Sequence, residues 1–255
     1  MRSFISILLS GALLASQLHL TCAVPTPRDL AIPPPPADPP KPPKGDGIGP
    51  YKSKEASFGD RISKLKFQAM ASAADGLGLH NAANNLRHYL DNSGKDLFIP
   101  PENMLKDLAG LRNTVQILAQ NQASATFKAI TGDKGEKAFS SKWTGYYATT
   151  TESKDWFYAL GGFSVSVTGV VSKTGAKAGT LKYAVHVFDR YNWDNGKSVD
   201  IGPFHFEDRE LGELHLKGLA REYTVRGTSK VVTVNGFTPG APIPLPKPKD
   251  DDRRD

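Results

Sequence analysis

The sequence predicts an α+β fold: a helical layer over residues 57–135, then an antiparallel β-sheet or partly open β-barrel over 136–238 with one inserted helix. Three observations predict it. Apolar residues recur at helical spacing up to about Gly135 and alternate with polar ones after it. Glycine-containing turns such as Lys173-Thr-Gly175 separate the alternating runs. One stretch, Asp208 to Gly218, returns to helical spacing inside the β-rich part.

The elements follow in chain order. Residues 1–23 have a basic start at Arg2, an apolar run from Phe4 to Leu20 and a small-x-small close at Thr21-Cys-Ala23, which reads as a secretory signal peptide. Its apolar run is interrupted by Ser10, Ser16, Gln17 and His19 and is shorter than the ~20 residues a membrane span needs. The sole cysteine, Cys22, lies in that segment, so a mature chain is expected to have no thiol nucleophile and no disulfide. Residues 24–56 are proline-dominated (Pro33 to Pro36, Pro39-Pro40, Pro42-Pro43) and read as a semi-rigid linker or propeptide.

In the helical region Ile62, Leu65 and Met70 mark one helix, and Leu86, Tyr89 and Leu90 a second. A third is expected to start at Pro101 and run through Met104, Leu105, Leu108, Leu111, Val115 and Leu118. Gly76 and Gly94 supply stops. The predicted strands are Trp143 to Ala148, Phe163 to Thr168, Leu181 to Phe188 and Glu222 to Val234, with Leu211, Leu214 and Leu219 on one face of the inserted helix. Trp143, Trp156 and Phe157 are assigned to the core; His80, His88 and His205 to scaffold or surface. Residues 239–255 repeat the proline-rich composition, end in mixed charge and read as a disordered tail. The body between leader and tails, roughly 190 residues, is long enough for a core without disulfides. No further run approaches spanning length, so no transmembrane span is expected in a secreted, extracellular mature chain.

Net charge +6 and a pI near 9.2 favour anionic partners, and equally suit a solubility charge on an exported protein. Lys and Arg are dispersed rather than gathered in a stripe with stacking aromatics, so no nucleic-acid partner is expected. The chain has no Gly-x-Ser-x-Gly, His-Glu-x-x-His, phosphate-loop or dinucleotide signature.

Chemistry concentrates where the strand Leu181 to Phe188 runs into Asp189-Arg-Tyr191-Asn192-Trp193-Asp194-Asn-Gly-Lys197. Alternation puts Asp189 and Tyr191 on one face with Val185 and Val187, and His186, Phe188 and Arg190 on the other. Asn195-Gly196 turns the loop so that Lys197 can fold back toward the acids. Asp189, Asn192 and Asp194 are hard-oxygen donors suited to Mg²⁺ or Ca²⁺. The same string is also good turn chemistry, with Asp and Asn bonding their own backbone. Trp193 and Lys197 are the expected substrate-binding residues. On the inserted helix His215 is a general acid or base, or a packed histidine; Arg221 can hold a phosphate oxygen bidentately.

From Ala159 the string Ala-Leu-Gly161-Gly-Phe-Ser-Val-Ser-Val-Thr-Gly169-Val-Val-Ser-Lys173-Thr-Gly175, continuing into Asp189-Arg-Tyr191-Asn192, resembles the activity domain of colicin M-type bacteriocins over roughly the last third of the chain. The resemblance implies cleavage of the phosphodiester linkage of lipid II with Mg²⁺, and gives Asp189 and Tyr191 the family's acid and tyrosine positions. Asn192 stands where the family has a second Asp, and Ser198 and Val199 where it has a His-Arg pair. Either His215 and Arg221 replace that pair, with Asp194 replacing the missing acid, or the fold has lost the activity. The expected function is thus a secreted toxin-like or effector-like phosphodiesterase. Its partner would be an anionic lipid-linked or cell-wall substrate, with Asp189, Tyr191, His215 and Arg221 catalytic. The alternative is a non-enzymatic secreted binding module for glycan or protein.

Overall fold

The computed structural model describes residues 30–41, 47–193, 198–201 and 204–248, without the side chains of 198–201 and 204–206. The expected signal peptide, Asp194 and Lys197 lie outside the described residues. The fold is α+β. Helices α1 (Phe58–Gly76), α2 (His80–Leu90), α3 (Pro101–Asp107) and α4 (Ala109–Lys128) come first, broken by a short strand β1 (Leu97–Phe98). Strands β2 (Gly135–Ser140) and β3 (Thr144–Tyr147), helix α5 (Lys154–Ala159), and long strands β4 (Gly162–Lys173) and β5 (Gly179–Tyr191) follow. Then come β6 (Ser198–Ile201), β7 (Phe204–Glu207), helix α6 (Asp208–Leu216), β8 (Tyr223–Thr228) and β9 (Val232–Phe237).

The main sheet has seven strands and stays open, without closing into the barrel that the alternation also allowed. β4 and β5 form its antiparallel centre; β2 and β3 flank β4, while β8 and β9 flank β5. The edge strand β1 runs parallel to β8, so the sheet is mixed rather than purely antiparallel. β6 and β7 form a separate two-stranded ribbon.

Local chemistry explains the helix ends. Ser57 and Asp60 form a reciprocal capping box at α1. Asp155 from α5 accepts hydrogen bonds from the backbone N–H groups of Asn81 (3.0 Å) and Ala82 (2.9 Å), placing a carboxylate at the start of α2. The single helix expected from Pro101 to Leu118 is two, because Leu108 is extended (φ −107°, ψ 102°). The apolar stripe continues through that break, with Met104, Leu108, Leu111 and Val115 all buried, so periodicity alone could not reveal it. Trp156 is fully buried and its indole donates to Asp107 Oδ2 at 2.8 Å.

One core lies between the sheet and α3, α4 and α5; a second joins α1, α2, α6 and the end of β5 and β8. Trp143, assigned to the core from sequence, is instead only half-buried against Phe188 (ring centroids 5.8 Å) on the opposite sheet face, because it precedes β3. The expected disordered tail is packed over its first part: Ile243 is buried and Tyr183 donates its phenol to the Pro244 carbonyl (2.5 Å). Ile243 and Leu245 find apolar seats, and flanking prolines lose little conformational entropy on ordering. The proline-rich stretch is likewise laid on the sheet over residues 30–41, through contacts set out below. No helix among the described residues is long and apolar enough to cross a membrane.

Candidate functional site

β5 carries the expected alternation to its end. Val185 and Val187 point into the first core, Tyr191 into the second, and His186 and Phe188 are buried on the other face. Antiparallel pairing with β8 sets Asp189 opposite Val225 and Tyr191 opposite Tyr223. The Tyr191 ring stacks on Tyr223 (4.7 Å between centroids, 19° between planes) and meets the edge of Trp193 at 5.5 Å. Tyr89 of α2 closes the group at 6.0 Å from Tyr191 and 5.9 Å from Trp193. Burial, with the nearby Asp189 and Asp208 charges, drives the Tyr191 phenol far above its ordinary pKa. It therefore stays protonated at any physiological pH, suited to packing and hydrogen bonding rather than to a phenolate role.

His215, near the end of α6, is buried at 5 % exposure. Its Nδ1 accepts from the Glu222 backbone N–H at 3.2 Å, which leaves the Nε2 proton to donate to the Gly49 carbonyl at 3.2 Å. Burial lowers its pKa and the Arg221 charge adds to this, so the ring is held neutral. The chain ahead of α1 covers this ring: Tyr51 lies 5.5 Å from it, and the N–H groups of Lys52 and Lys54 donate to the carbonyls of His215 and Leu216. Lys217 ties α6 to α1 through Asp60 (2.7 Å), whose carboxyl is lowered to about 2 by that hydrogen bond and the Ser57 cap.

Arg221 is exposed, with its guanidinium 4.7 Å over the Tyr51 ring, while its backbone N–H donates to Tyr89 O (3.0 Å). Gly94, at φ +64°, lies so close to the Arg221 side chain that a Cβ there would collide with it.

Glu222 is the residue the sequence reading missed. One carboxylate oxygen accepts from the Trp193 backbone N–H at 3.4 Å, and the other lies 3.9 Å from His215 Nε2. Gly47, at φ +77°, rests against this carboxylate, where a Cβ would come within 2.5 Å. Glu222 thus joins the strand end to the helix histidine. The available signal was positional: once the Tyr191–Tyr223 register is drawn, residue 222 falls at the mouth of the same loop.

The structure therefore brings Tyr191, Trp193, Glu222, His215 and Arg221 into one continuous cluster, with Asp189 two residues back along β5. Asn192 is half-buried just past the strand. Ser198 and Val199 lie on the β6–β7 ribbon, paired with Glu207 and Phe206. Of the oxygen donors expected to hold Mg²⁺, the described Asp189 and Asn192 supply one carboxylate and one amide, within what Mg²⁺ takes from a protein beside water and phosphate oxygens. Among the described residues no group of three or more His, Cys, Asp or Glu is placed to share an ion.

Neither a protein-family model nor a curated protein matches the chain. Among solved structures it is similar to PaeM, a colicin M-like bacteriocin produced by Pseudomonas aeruginosa. That match has 14% identity and a TM-score of 0.34, over 61% of this chain and 50% of the other. It is also similar to the bacteriocin syringacin M from Pseudomonas syringae pv. tomato DC3000, at 16% identity and a TM-score of 0.30 over 61% of this chain and 51% of the other. Against the truncated form of syringacin M the identity is 15% and the TM-score 0.30, with 61% and 60% covered. The chain spans half to three fifths of the length of these proteins.

Proposed function

We propose that the chain is a secreted, toxin-like phosphodiesterase acting on a lipid-linked cell-wall precursor of the lipid II type. The observation that carries this reading is the assembly of His215 and Arg221 against the Asp189–Trp193 strand end through Glu222. In the resembled family a His-Arg pair stands on the loop after that strand; here a histidine and an arginine reach the same end of β5 from α6 and the start of β8. Arg221 would hold a phosphate oxygen in its guanidinium fork. Asp189 would accept the proton of an attacking water as its oxygen bonds to phosphorus, and the leaving oxygen, hydrogen-bonded by the neutral His215 Nε2–H as the P–O bond breaks, would take its proton from solvent. The buried Tyr191 ring and the half-buried Trp193 ring would hold the strand end in place. The Glu222 N–H fixes the neutral tautomer with its proton at Nε2, which suits donation of a hydrogen bond to the leaving oxygen. Nε2 is engaged by Gly49 O, so the segment over it has to move for substrate to enter. Dependence on Mg²⁺ is part of the proposal and is to be measured.

The test is turnover of a purified lipid-pyrophosphate precursor with Mg²⁺ or with EDTA, by the wild type and by Asp189→Ala and His215→Ala. Each variant should lose about 100-fold or more while keeping its fold, as removal of a proton acceptor or of a preorganised hydrogen-bond donor does. Full activity in both variants, or no turnover by wild type with Mg²⁺, rejects the enzyme.

A second reading has its own support. Both ring nitrogens of His215 are satisfied and Tyr191 is enclosed by aromatic rings, as in a structural knot serving a glycan- or protein-binding module. Saturable binding of a glycan or lipid-linked substrate without turnover, weakened by Arg221→Ala, would select it.

A further inference from the structure

The outer sheet face, on the far side from α4, is polar along its centre and yet buried. Thr168 and Ser166 of β4 and His186 of β5 are at 0 to 2 % exposure. What covers them is the chain's own residues 30–41. Within that segment Pro33, Pro36 and Pro39 are half-buried while the residues between them are exposed. A spacing of three is the period of polyproline II, so one edge of such a helix lies on the sheet.

The hydrogen bonding explains why a proline segment can lie there. Proline has no N–H and cannot extend a ladder at a sheet edge, but its carbonyls need donors. The face supplies them from side chains. Thr168 Oγ1 donates to Pro33 O (2.8 Å), and the Trp143 indole N–H donates to Ala37 O (2.8 Å). Arg190 donates to the carbonyls of Pro39 and Pro40. Asp38 sits in the guanidinium fork of Arg226, at 2.5 and 2.7 Å, and its carboxyl pKa is lowered first by that hydrogen bond. Phe188 lies beneath both guanidinium groups, 5.0 Å from Arg190 and 5.3 Å from Arg226. An indole donor, an aromatic floor and arginines reading carbonyls and one acid are the elements by which proteins recognise proline-rich peptides.

The segment does not fill the face. A cavity of about 500 Å³ remains beside it, lined by Pro35, Trp143, Phe188, Arg226, Thr228 and Lys230. Ser166 Oγ, buried on this face, has no hydrogen-bond partner among the described residues.

We propose that this face is a binding groove for a proline-rich peptide carrying one acidic residue, and that residues 30–41 are its ligand, bound in cis and exchangeable in trans. The groove reads Pro33, Pro36 and Pro39 by shape and Asp38 by charge. It stands independently of the enzymatic reading.

The experiment uses the full chain with a protease site inserted between Lys41 and Pro42, and a fluorescein-labelled peptide of the sequence Leu30 to Lys41 followed by anisotropy. After cleavage the labelled peptide should bind saturably, and Trp143 emission should shift as it does. The uncleaved chain, whose groove is filled at high effective concentration, should bind at least about 100-fold more weakly. A peptide with Asp38→Lys should bind the cleaved protein about tenfold more weakly or worse, as loss of a charge-assisted pair predicts. A cleaved protein that still unfolds cooperatively but binds no peptide overturns the proposal, and so does equal binding of the Asp38→Lys peptide. Should cleavage abolish folding, the uncleaved chain bearing Asp38→Lys takes its place. It should accept the wild-type peptide in trans with saturation, and failure to do so counts against the groove.

Discussion

The two faces of β5 are buried by different means. On one, Val185, Val187 and Tyr191 pack against helices and rings, and burial rests on apolar area and shape. On the other, His186, Phe188 and Arg190 lie under residues 30–41, held by side chains donating to carbonyls and by one ion pair. The difference teaches that burial is not one property: the first face belongs to the folding core, while the second is an interface whose partner happens to be covalently attached. It also shows why period-two alternation, which usually marks one solvated face, here marks a strand buried on both sides.

Substitutions separate the two. The largest effect is expected on the core face: Tyr191→Ala removes a ring packed on Tyr223, Trp193 and Tyr89, and should cost about 3 to 5 kcal/mol in urea unfolding. A loss under 1 kcal/mol would place the knot outside the core.

Acid is the next lever, and it acts on the interface face. Burial lowers the His186 pKa from 6.5 to about 4. Thr168 Oγ1, donating to Pro33 O, accepts from His186 Nε2–H, and Nδ1 accepts from Thr228 Oγ1, so the folded state holds the neutral ring. Because the unfolded chain takes up a proton first, this contribution is complete above pH 6.5 and is lost as pH falls toward 4. At 1.36 kcal/mol per pKa unit it amounts to about 3 kcal/mol at most. His186→Gln should flatten much of the stability slope in that window; the remainder belongs to His215, which shifts in the same direction, and near pH 4 to carboxylates held below their ordinary range, such as Asp60 and Glu213. An unchanged slope in the variant would show that His186 is not held neutral.

The smallest effect is expected from the ion pair. Arg226→Ala should cost about 1 kcal/mol, since its pairs with Asp38 and Asp96 are partly solvated. It should also raise protease cleavage within residues 30–41 well before global unfolding, because local release is cheaper than unfolding the core. Resistance equal to wild type would mean that the proline contacts alone hold the segment.

Much of the fold was legible. The switch at Gly135 from helical to alternating spacing, the inserted helix and the Pro101 start all appear as read. What escaped depends on tertiary context. The break at Leu108 hides in an unbroken apolar stripe, and the two residues of β1 are too short to carry a period. The proline segment and the tail have the composition of linkers, and only the donors of the sheet face and the apolar seats of Ile243 and Leu245 order them. In the candidate site, Asp189, Tyr191 and Trp193 announced themselves as costly residues at a strand end. His215 was visible only as a histidine with two uses, and Glu222 acquired meaning only through the register that seats it between Trp193 and His215.

We propose this junction of strand end, helix histidine and Glu222 as a site and not only a knot. Its most direct test is cleavage of a lipid II-type substrate by wild type and by His215→Gln, each with its stability measured alongside. The account predicts turnover by wild type and a loss of about 100-fold in the variant at near-unchanged stability. Equal turnover by the two proteins, or none by the wild type with Mg²⁺ present, would contradict it.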